Sequence, residues 1–283
     1  MEHLAAIEPI DYLVVGHITI DITPDGPTLG GTAAYVALNA KQHGFRVGIY
    51  TSFGNELPLD VLSGIQVVNC ATTKSTTFEN RYSEEGRVQL IRAVAEPLEI
   101  AAIPAPWKRT KIIHLAPVAN EIPVFDPTIL KADLLCATPQ GWLRRWDAKG
   151  LVSTEKQNEE IEPILQASVV VLSSEDLAHD EDLIEWYAHK TKILAITEGS
   201  KGSRLYWNGD IRKFSSRRVV EVDPTGAGDI FASSFFMRLL ITRDPWEASR
   251  YANQVAAFSV TRKGMASIPS VEEIKLAEIE LLH

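Results

Sequence analysis

Apolar runs of strand length open the chain and recur along it. The first spans residues 12–16 and precedes a Gly-Gly pair, a small-residue stretch that predicts a helix over 32–43, and a second apolar run over 46–52. A strand, a helix and another strand in this order are typical of a βαβ unit.

Similar apolar runs follow, and several of them are separated by polar or amphipathic stretches long enough for helices. These runs cover residues 111–115, 133–136, 169–172 and 193–197. Such alternation predicts an α/β fold, in which helices cover both faces of a central, mostly parallel sheet.

Two segments depart from this alternation and predict antiparallel hairpins. Residues 76–94 alternate β-forming side chains around Glu84-Glu85-Gly86, and residues 205–214 turn at Asn208-Gly209. The last third predicts helices over 230–241, 246–261 and 271–282, because these stretches contain no internal proline or glycine.

Composition narrows the possible classes of protein. A chain of 283 residues can bury one large core, so we expect a single domain over 1–283. Cys70 and Cys136 lack the spacing of a zinc site or a disulfide scaffold, which fits a reducing compartment.

Without a signal peptide or a long apolar run, the chain is expected to be cytoplasmic. A net charge of -9 argues against nucleic-acid and membrane partners.

The stretch from Asp223 to Asp229, Asp-Pro-Thr-Gly-Ala-Gly-Asp, carries the strongest chemical signal and leads into an almost wholly apolar helix. Such a helix is buried, so its first N–H groups are held rigidly and favour an anion. Gly226 and Gly228 allow a ligand close to the backbone, and Asp229 could accept a proton from an attacking hydroxyl. Alternatively, Asp229 only caps the helix and the glycines only form a turn.

Together with Gly30-Gly31 before the first helix, this motif resembles the signatures of the ribokinase-like (PfkB) carbohydrate kinase family, over essentially the whole chain. The resemblance implies a ribokinase-like fold with a reduced β lid. It also implies that Asp229 is the catalytic base and that the amides of Gly226, Ala227 and Gly228 form an anion hole. Ser234 departs from the usual Ala or Gly of the signature.

For the nucleotide, the resemblance implies a turn under the phosphates and a wall beside the adenine. Thr197, Gly199 and Gly202 match the family's Thr-x-Gly-x-x-Gly turn, while Asn253 and Gly264 match the adenine side. A polar helix face and a helix C-cap would explain the last two equally well. No P-loop motif occurs in the chain.

The resemblance implies ATP and Mg²⁺ as cofactors and leaves K⁺ open. In many relatives a monovalent cation lies beside the anion hole, which here would involve Asp223 and Thr225. Ser173-Ser174-Glu175-Asp176 replaces the family's Asn-x-x-Glu, so that Asp176 would influence magnesium only indirectly.

The acceptor side is expected around Asp21, whose carboxylate only accepts hydrogen bonds and suits two substrate hydroxyls. A turn cap is the alternative for Asp21. The other residues that the resemblance assigns to the acceptor are Thr19, Gly30, Gly31, Tyr35, Gln140 and Arg144. For Arg144, a surface position is the alternative.

Tyr35 stands where ribokinases carry an amide, which makes ribose less suitable and favours the myo-inositol kinase branch. Because only eight residues separate Asp21 from Gly30, we expect the lid to consist of a hairpin within 74–95 alone. Asn80 and Arg81 would then cover the acceptor. A monomer and a homodimer both remain open.

The sequence therefore predicts a kinase that transfers the terminal phosphate of ATP to a hydroxyl of a sugar or cyclitol. One alternative is a nucleoside kinase of the same fold. Another is a catalytically silent protein that binds a nucleotide or a polyol, which the altered segment around Asp176 favours and the intact Asp229 disfavours.

Overall fold

The computed structural model describes residues 7–24, 26–57, 59–83, 86–155 and 159–280. Its strands, in chain order, are β1 (Tyr12–Val15), β2 (Thr19–Thr23), β3 (Gly26–Gly30), β4 (Val47–Thr51), β5 (Gln66–Asn69), β6 (Thr76–Ser83), β7 (Gly86–Ala93), β8 (Arg109–Leu115), β9 (Lys131–Ala137), β10 (Arg144–Trp146), β11 (Val152–Thr154), β12 (Val169–Ser173), β13 (Ile193–Thr197), β14 (Ser203–Trp207) and β15 (Asp210–Phe214). Its helices are α1 (Thr32–Gln42), α2 (Gln140–Leu143), α3 (Glu162–Ala167), α4 (Glu181–Lys190), α5 (Ala227–Thr242), α6 (Pro245–Ser259) and α7 (Val271–Glu280).

A nine-stranded sheet forms the centre of the fold, in the order β15-β14-β13-β12-β9-β8-β1-β4-β5. The strands from β13 to β5 pair in parallel, and β14 and β15 add an antiparallel edge. The predicted α/β class with a mostly parallel sheet is confirmed. Among the described residues, no helix has the length and apolarity that crossing a membrane requires.

Alternate side chains of β1 enter two separate cores, because successive strand residues point to opposite faces. Tyr12 and Val14 pack in the core that contains α1, α5 and α6, while Leu13 and Val15 pack in the core that contains α3 and α4. Both faces of β1 are therefore buried, which explains why its sequence is apolar without interruption.

A second sheet has four strands in the order β3-β2-β6-β7. The expectation that the lid consists of the hairpin β6–β7 alone is wrong, since β2 and β3 pair antiparallel and β2 joins β6 in parallel. The span from Asp21 to Gly30 is long enough for this hairpin because β2 and β3 each have five residues and share a short connection.

Most predicted elements lie within a few residues of their observed bounds. The predicted strand 193–197 coincides with β13, and the hairpin at Asn208-Gly209 separates β14 from β15. Two predictions extend beyond the described residues: the turn at Glu84-Glu85, and the last two residues of the helix predicted over 271–282.

Candidate active site

A cavity of about 470 Å³ lies between the second sheet and the carboxyl ends of β12 and β13. The amino ends of α1 and α5 also open on it. Its lining consists of Thr19, Asp21, Gly31, Thr32, Tyr35, Phe78, Asn80, Gln89, Val118, Thr138, Gln140, Arg144, Val171, Leu172, Ser173, Glu175, Asp176, Thr197, Gly199, Pro224, Thr225, Gly226, Ala227, Gly228 and Asp229.

The amino end of α5 presents backbone N–H groups to this cavity. Gly226 caps the helix with φ 80°, and the Ala227 N–H donates to the Pro224 carbonyl oxygen at 3.1 Å. The N–H groups of Gly228 and Asp229 precede the first intrahelical donor, Ile230, and so lack a helical acceptor. A β-carbon on Gly228 would meet nothing within 4 Å, so the backbone there is open to a ligand.

Helix α5 is held in place by α1. The buried Asn39 side chain donates to Ser233 Oγ at 2.8 Å and to Ser234 Oγ at 3.0 Å. Ser234 is the residue that departs from the family signature, and its hydroxyl oxygen accepts this hydrogen bond between the two helices. Ser233 Oγ donates to the Asp229 carbonyl oxygen at 2.7 Å, which ties the first turn of α5 to the same contact.

The Asp229 carboxyl group is mostly buried at the floor of the cavity, and the pKa of Asp229 is raised to about 7. Desolvation is the main cause, and the negative charges of Asp176 and Asp21 raise the pKa further. The hydroxyl group of Thr32 and the positive charge of Arg144 act in the opposite direction. A carboxylate with a pKa near neutrality suits proton transfer under physiological conditions.

On the acceptor side, Asp21 is positioned by its strand and by its neighbours. Thr19 Oγ1 donates to Asp21 Oδ1 at 3.1 Å. Gly30 packs against the same carboxylate, since a β-carbon on Gly30 would lie 2.3 Å from Asp21 Oδ2. On the lid, Gln89 Nε2 donates to Asn80 Oδ1 at 3.1 Å, so that an amide pair faces the cavity from above.

Arg144 reaches the cavity from the end of α2. Its Nη1 donates to the Val118 carbonyl oxygen at 2.8 Å, and its Nη2 donates to Gln140 Oε1 at 2.8 Å. The guanidinium carbon lies 5.2 Å from the centre of the Phe78 ring, within cation–π range. Arg144 is therefore a built part of the cavity wall, and the alternative of a surface arginine is wrong.

The part of the cavity that the resemblance assigns to the phosphate donor is formed by the segments that follow β12 and β13. Thr197 ends β13, and Gly199 follows it with φ 58° and open space where a β-carbon would be. In the segment after β12, Asp176 Oδ2 accepts from the Ser173 N–H at 3.1 Å, and the Asp176 N–H donates to Ser173 Oγ at 3.0 Å. Glu175 extends into the lining beside them.

Comparison with known proteins identifies a family that part of this chain resembles. The model of the pfkB family of carbohydrate kinases matches residues 160–272, which include the donor side and the start of α5. This match covers less than half of the chain, which therefore resembles the family over its carboxyl-terminal part. Together with the kinase relatives described below, it identifies the chain as a phosphotransferase whose acceptor is an alcohol group.

Individual kinases resemble the chain over most of its length. A cytidine kinase from Thermococcus kodakarensis is 28% identical in an alignment of 250 positions that covers 80% of this chain and 87% of that kinase. An inositol 3-kinase from Oryza sativa subsp. japonica is 27% identical in an alignment of 290 positions, gaps included, that covers 93% of this chain and 71% of that kinase. The solved structure of a pyrophosphate-dependent kinase of the ribokinase family, in complex with a pyrophosphate analogue and myo-inositol, has a TM-score of 0.77 at 20% identity and covers 94% of this chain and 99% of its own.

Most of the residues that the PfkB resemblance assigned to the site line this one cavity. They are Thr19, Asp21, Gly31, Tyr35, Gln140, Arg144, Asp176, Thr197, Gly199, Thr225, Gly226, Ala227, Gly228 and Asp229. Residues from the two ends of the chain, more than two hundred positions apart, therefore meet at one place. Gly30, Gly202, Asp223, Asn253 and Gly264 lie outside the lining, as does Arg81 of the lid.

The residues outside the lining have structural contacts. Asn253 is buried, and its amide donates to Ser203 Oγ at 2.8 Å. A β-carbon on Gly202 would lie 1.9 Å from the Phe214 carbonyl oxygen, so Gly202 permits the tight approach of β15. The two oxygens of Asp223 accept from the N–H groups of Thr225, at 2.9 Å, and Gly264, at 3.4 Å.

Sequence reasoning missed part of the cavity wall. Thr32, Phe78, Gln89, Val118, Thr138 and Glu175 line the cavity and were not assigned to it. Glu175 had a signal, because it lies in the segment that replaces Asn-x-x-Glu and offers a longer carboxylate than Asp176. Thr32 follows Gly31 directly and could have been found from the same motif.

Proposed function

We propose that the chain transfers the terminal phosphoryl group of ATP to a hydroxyl of a small sugar or cyclitol. The observation that carries the proposal is the joint opening of the Asp229 carboxyl group and the α5 amide groups on one cavity with Asp21. A base, an anion site and a hydroxyl-binding carboxylate are the parts that such a transfer requires.

Each part has one role in the reaction. Asp21 accepts hydrogen bonds from acceptor hydroxyls and orients one of them toward Asp229. The Asp229 carboxylate takes the proton of that hydroxyl as its oxygen attacks the phosphorus atom and the bond to the leaving diphosphate breaks. The N–H groups of Gly226 and Gly228 face the negative charge on the transferred phosphoryl group, where each such donor is worth about 3 kcal/mol of barrier. The N–H of Ala227, which the family resemblance also assigns to this role, already donates to the Pro224 carbonyl oxygen.

A polyol acceptor fits the polarity of the cavity. Hydroxyl, amide and charged side chains dominate the acceptor side, and each can pair with a hydroxyl group. Tyr35 packs against Gly226, and Phe78 lies beside the Arg144 guanidinium group, so both aromatic rings of the lining already have partners. The inositol 3-kinase relative and the relative solved with myo-inositol favour a cyclitol.

A nucleoside acceptor is the second candidate function. It is favoured by the cytidine kinase relative, which covers 80% of this chain. A nucleoside would place its base near Phe78 and its ribose hydroxyls near Asp21. In this pose the Arg144 guanidinium group must leave the Phe78 ring or share it with the base. The position of Arg144 relative to Phe78 in a complex therefore distinguishes a nucleoside acceptor from a polyol.

Magnesium fits the donor side of the site. The described residues contain no cluster of three or more His, Cys, Asp or Glu side chains that could hold a metal ion. Glu175 and Asp176 nevertheless offer oxygen atoms beside Thr197, which suits an ion that is bound mainly by phosphate and water. Magnesium bound there neutralises charge on the phosphates.

A potassium site is proposed beside the Asp-Pro-Thr turn. Each oxygen of Asp223 accepts a backbone hydrogen bond and keeps a further lone pair for a cation. We expect activity at fixed Mg²⁺ to be higher in K⁺ than in tetramethylammonium salts of the same ionic strength. Equal activity in both salts removes this ion from the proposal.

The purified chain should be assayed with Mg²⁺, with ATP or pyrophosphate as donor, and with inositols, fructose, ribose and cytidine as acceptors. We expect transfer from ATP to a cyclitol or sugar. Asp229→Asn should lower kcat by at least about a hundredfold and leave nucleotide binding, measured by calorimetry, intact. Preferential phosphorylation of cytidine supports the second candidate, and binding without turnover in any pair supports a catalytically silent protein.

A further inference from the structure

A row of hydrogen bonds leads from the Arg144 guanidinium group to Thr32, which lines the same cavity as the Asp229 carboxyl group. Arg144 Nη2 donates to Gln140 Oε1 at 2.8 Å, and Gln140 Nε2 donates to Thr32 Oγ1 at 3.0 Å. Thr32 and Asp229 both line the cavity, and the Thr32 side chain lowers the pKa of Asp229. Two segments that are distant in sequence, at α1 and α2, are thus joined from a fixed cation to the side chain beside the base.

The direction of each bond in this row follows from the chemistry of the groups. A guanidinium group only donates, so the oxygen of the Gln140 amide must face Arg144 and its nitrogen must face Thr32. Thr32 Oγ1 is then the acceptor of that bond. The single hydrogen of the Thr32 hydroxyl is therefore left for Asp229, and its orientation does not depend on how the amide was assigned.

Both ends of the row are held by the backbone around them. Thr32 is 2% exposed and begins α1 directly after Gly31, whose φ of 89° sets the turn into the helix. Arg144 Nη1 donates to the Val118 carbonyl oxygen at 2.8 Å. The Val118 N–H in turn donates to the buried carboxylate of Glu121 at 3.0 Å. These contacts leave the row little freedom to rearrange.

We propose that Thr32 and Gln140 are positioning residues, which aim the Asp229 carboxylate at the acceptor hydroxyl and transmit the influence of Arg144 to it. The inference rests on the proposed function, because proton acceptance by Asp229 is the step that it serves. In that step the hydroxyl proton moves to Asp229 while the new oxygen–phosphorus bond forms. The hydroxyl hydrogen of Thr32 stays on Thr32 throughout.

This role differs from direct acceptor binding by Gln140, which the sequence favours. Both polar atoms of the Gln140 amide are already paired, the oxygen with Arg144 and the nitrogen with Thr32. The charged and titratable groups that face Asp229 are Arg144, Asp21 and Asp176, together with the phenol of Tyr35. Among these groups, Arg144 is the cation, and the row joins it to the side chain beside the base.

The test compares the pH dependence of kcat/KM for the acceptor in matched variants. Thr32→Val removes the hydroxyl and keeps the side-chain shape, while Thr32→Ser keeps the hydroxyl. Loss of a hydrogen bond to a charged group should raise the pKa on the acidic limb by roughly one pH unit in Thr32→Val. Gln140→Met should raise the same apparent pKa by a smaller amount, and Thr32→Ser should leave it unchanged.

Thr110→Val is the control for losing a threonine hydroxyl outside the cavity, where Thr110 Oγ1 donates to the Ile10 carbonyl oxygen at 2.8 Å. Its acidic limb should coincide with that of the wild type. An acidic limb that stays in place in Thr32→Val and Gln140→Met, while KM for the acceptor rises, would overturn the inference and make these residues acceptor contacts.

A second measurement needs no turnover. In the protein labelled with ¹³C at aspartate carboxyl groups, the Asp229 signal is identified by its loss in Asp229→Asn and titrated with pH. Thr32→Val should raise the Asp229 pKa, and Thr32→Ser should not. A shift without kinase activity refutes the proposed function and leaves the positioning contact standing, whereas activity without a shift refutes the positioning role alone.

Discussion

The aromatic ring of Tyr35 packs against the backbone of Gly226, so closely that a β-carbon on Gly226 would lie 2.4 Å from two ring carbons. Tyr35 belongs to α1, which begins beside the acceptor, and Gly226 caps α5, which presents the amides. The contact therefore sets the spacing between the acceptor side of the cavity and the anion site.

Gly226→Ala should reduce both stability and activity. Its φ of 80° costs an alanine about 1–2 kcal/mol, and the clash with Tyr35 should add about 1–3 kcal/mol. Gly209→Ala is a matched control, because Gly209 also has φ 80° but has open space at the β-carbon position. Thermal unfolding of both variants isolates the contribution of Tyr35, and kcat should fall at least about tenfold in Gly226→Ala alone. Equal losses of stability in the two variants contradict the packing argument.

The acceptor kcat/KM should rise with pH and level off above an apparent pKa near 7. Asp229 must be ionised to accept a proton, and its pKa is raised to about 7, chiefly by desolvation. Rates should be measured at saturating nucleotide and magnesium, so that titration of the donor does not contribute. A rate that is independent of pH between about 5.5 and 9 would mean that a group other than Asp229 limits proton transfer.

Asp229→Asn should stabilise the fold at alkaline pH while it abolishes turnover. The pKa of Asp229 lies near 7 in the fold and at 3.8 ordinarily, so the folded chain binds more protons than the unfolded chain between these values. Wild-type stability therefore falls as pH rises through this window, whereas the asparagine cannot ionise. Since Asp229 is partly exposed to the cavity, we expect a gain on the order of 2 kcal/mol at about pH 8 and little at about pH 4.

Denaturant unfolding at both pH values measures this difference between the wild type and the variant. Asp210→Asn, at the exposed first residue of β15, serves as the control. A gain in Asp229→Asn that is equal at both pH values would show that the carboxylate charge is not its origin.

Gly30→Ala should weaken acceptor binding although Gly30 does not line the cavity. A β-carbon on Gly30 would lie 2.3 Å from Asp21 Oδ2 and should displace that carboxylate, raising KM for the acceptor about tenfold. In the background of Asp21→Ala, the same change should have little further effect, because the clash has been removed. Additive effects in this double-mutant cycle would show that Gly30 acts independently of Asp21.

The central sheet and the reaction loop were readable from sequence because their signals are local. β13 has an apolar run of four residues, Ile193 to Ile196, bounded by polar residues, and the loop before α5 needs a glycine at Gly226 for its positive φ. The β2–β3 hairpin was missed, since the run from Thr19 to Thr23 alternates over only five residues and looked too close to Gly30 to be a strand pair.

The rest of the site depends on contacts between distant residues, which no local pattern encodes. Gln140 and Thr32 are 108 positions apart and meet only when α2 and α1 pack at the same cavity. Asn253 lies on a helix that the sequence predicts, yet the packing of α6 against β14 turns its amide toward Ser203 rather than the cavity. The type of each element was thus easier to predict than the direction of its side chains.

The placement of β2 inside the second sheet links two events of a catalytic cycle. Asp21 lies on β2, and β2 is flanked by β3 and β6, so this carboxylate cannot move separately from the sheet that roofs the cavity. If this second sheet moved outward during a catalytic cycle, Asp21 would move with it, and its contact with an acceptor hydroxyl would be lost. Under the proposed function, this arrangement would disfavour hydrolysis of the phosphate donor by water, because only an acceptor that touches both the second sheet and the Asp229 side of the cavity would complete the reactive geometry.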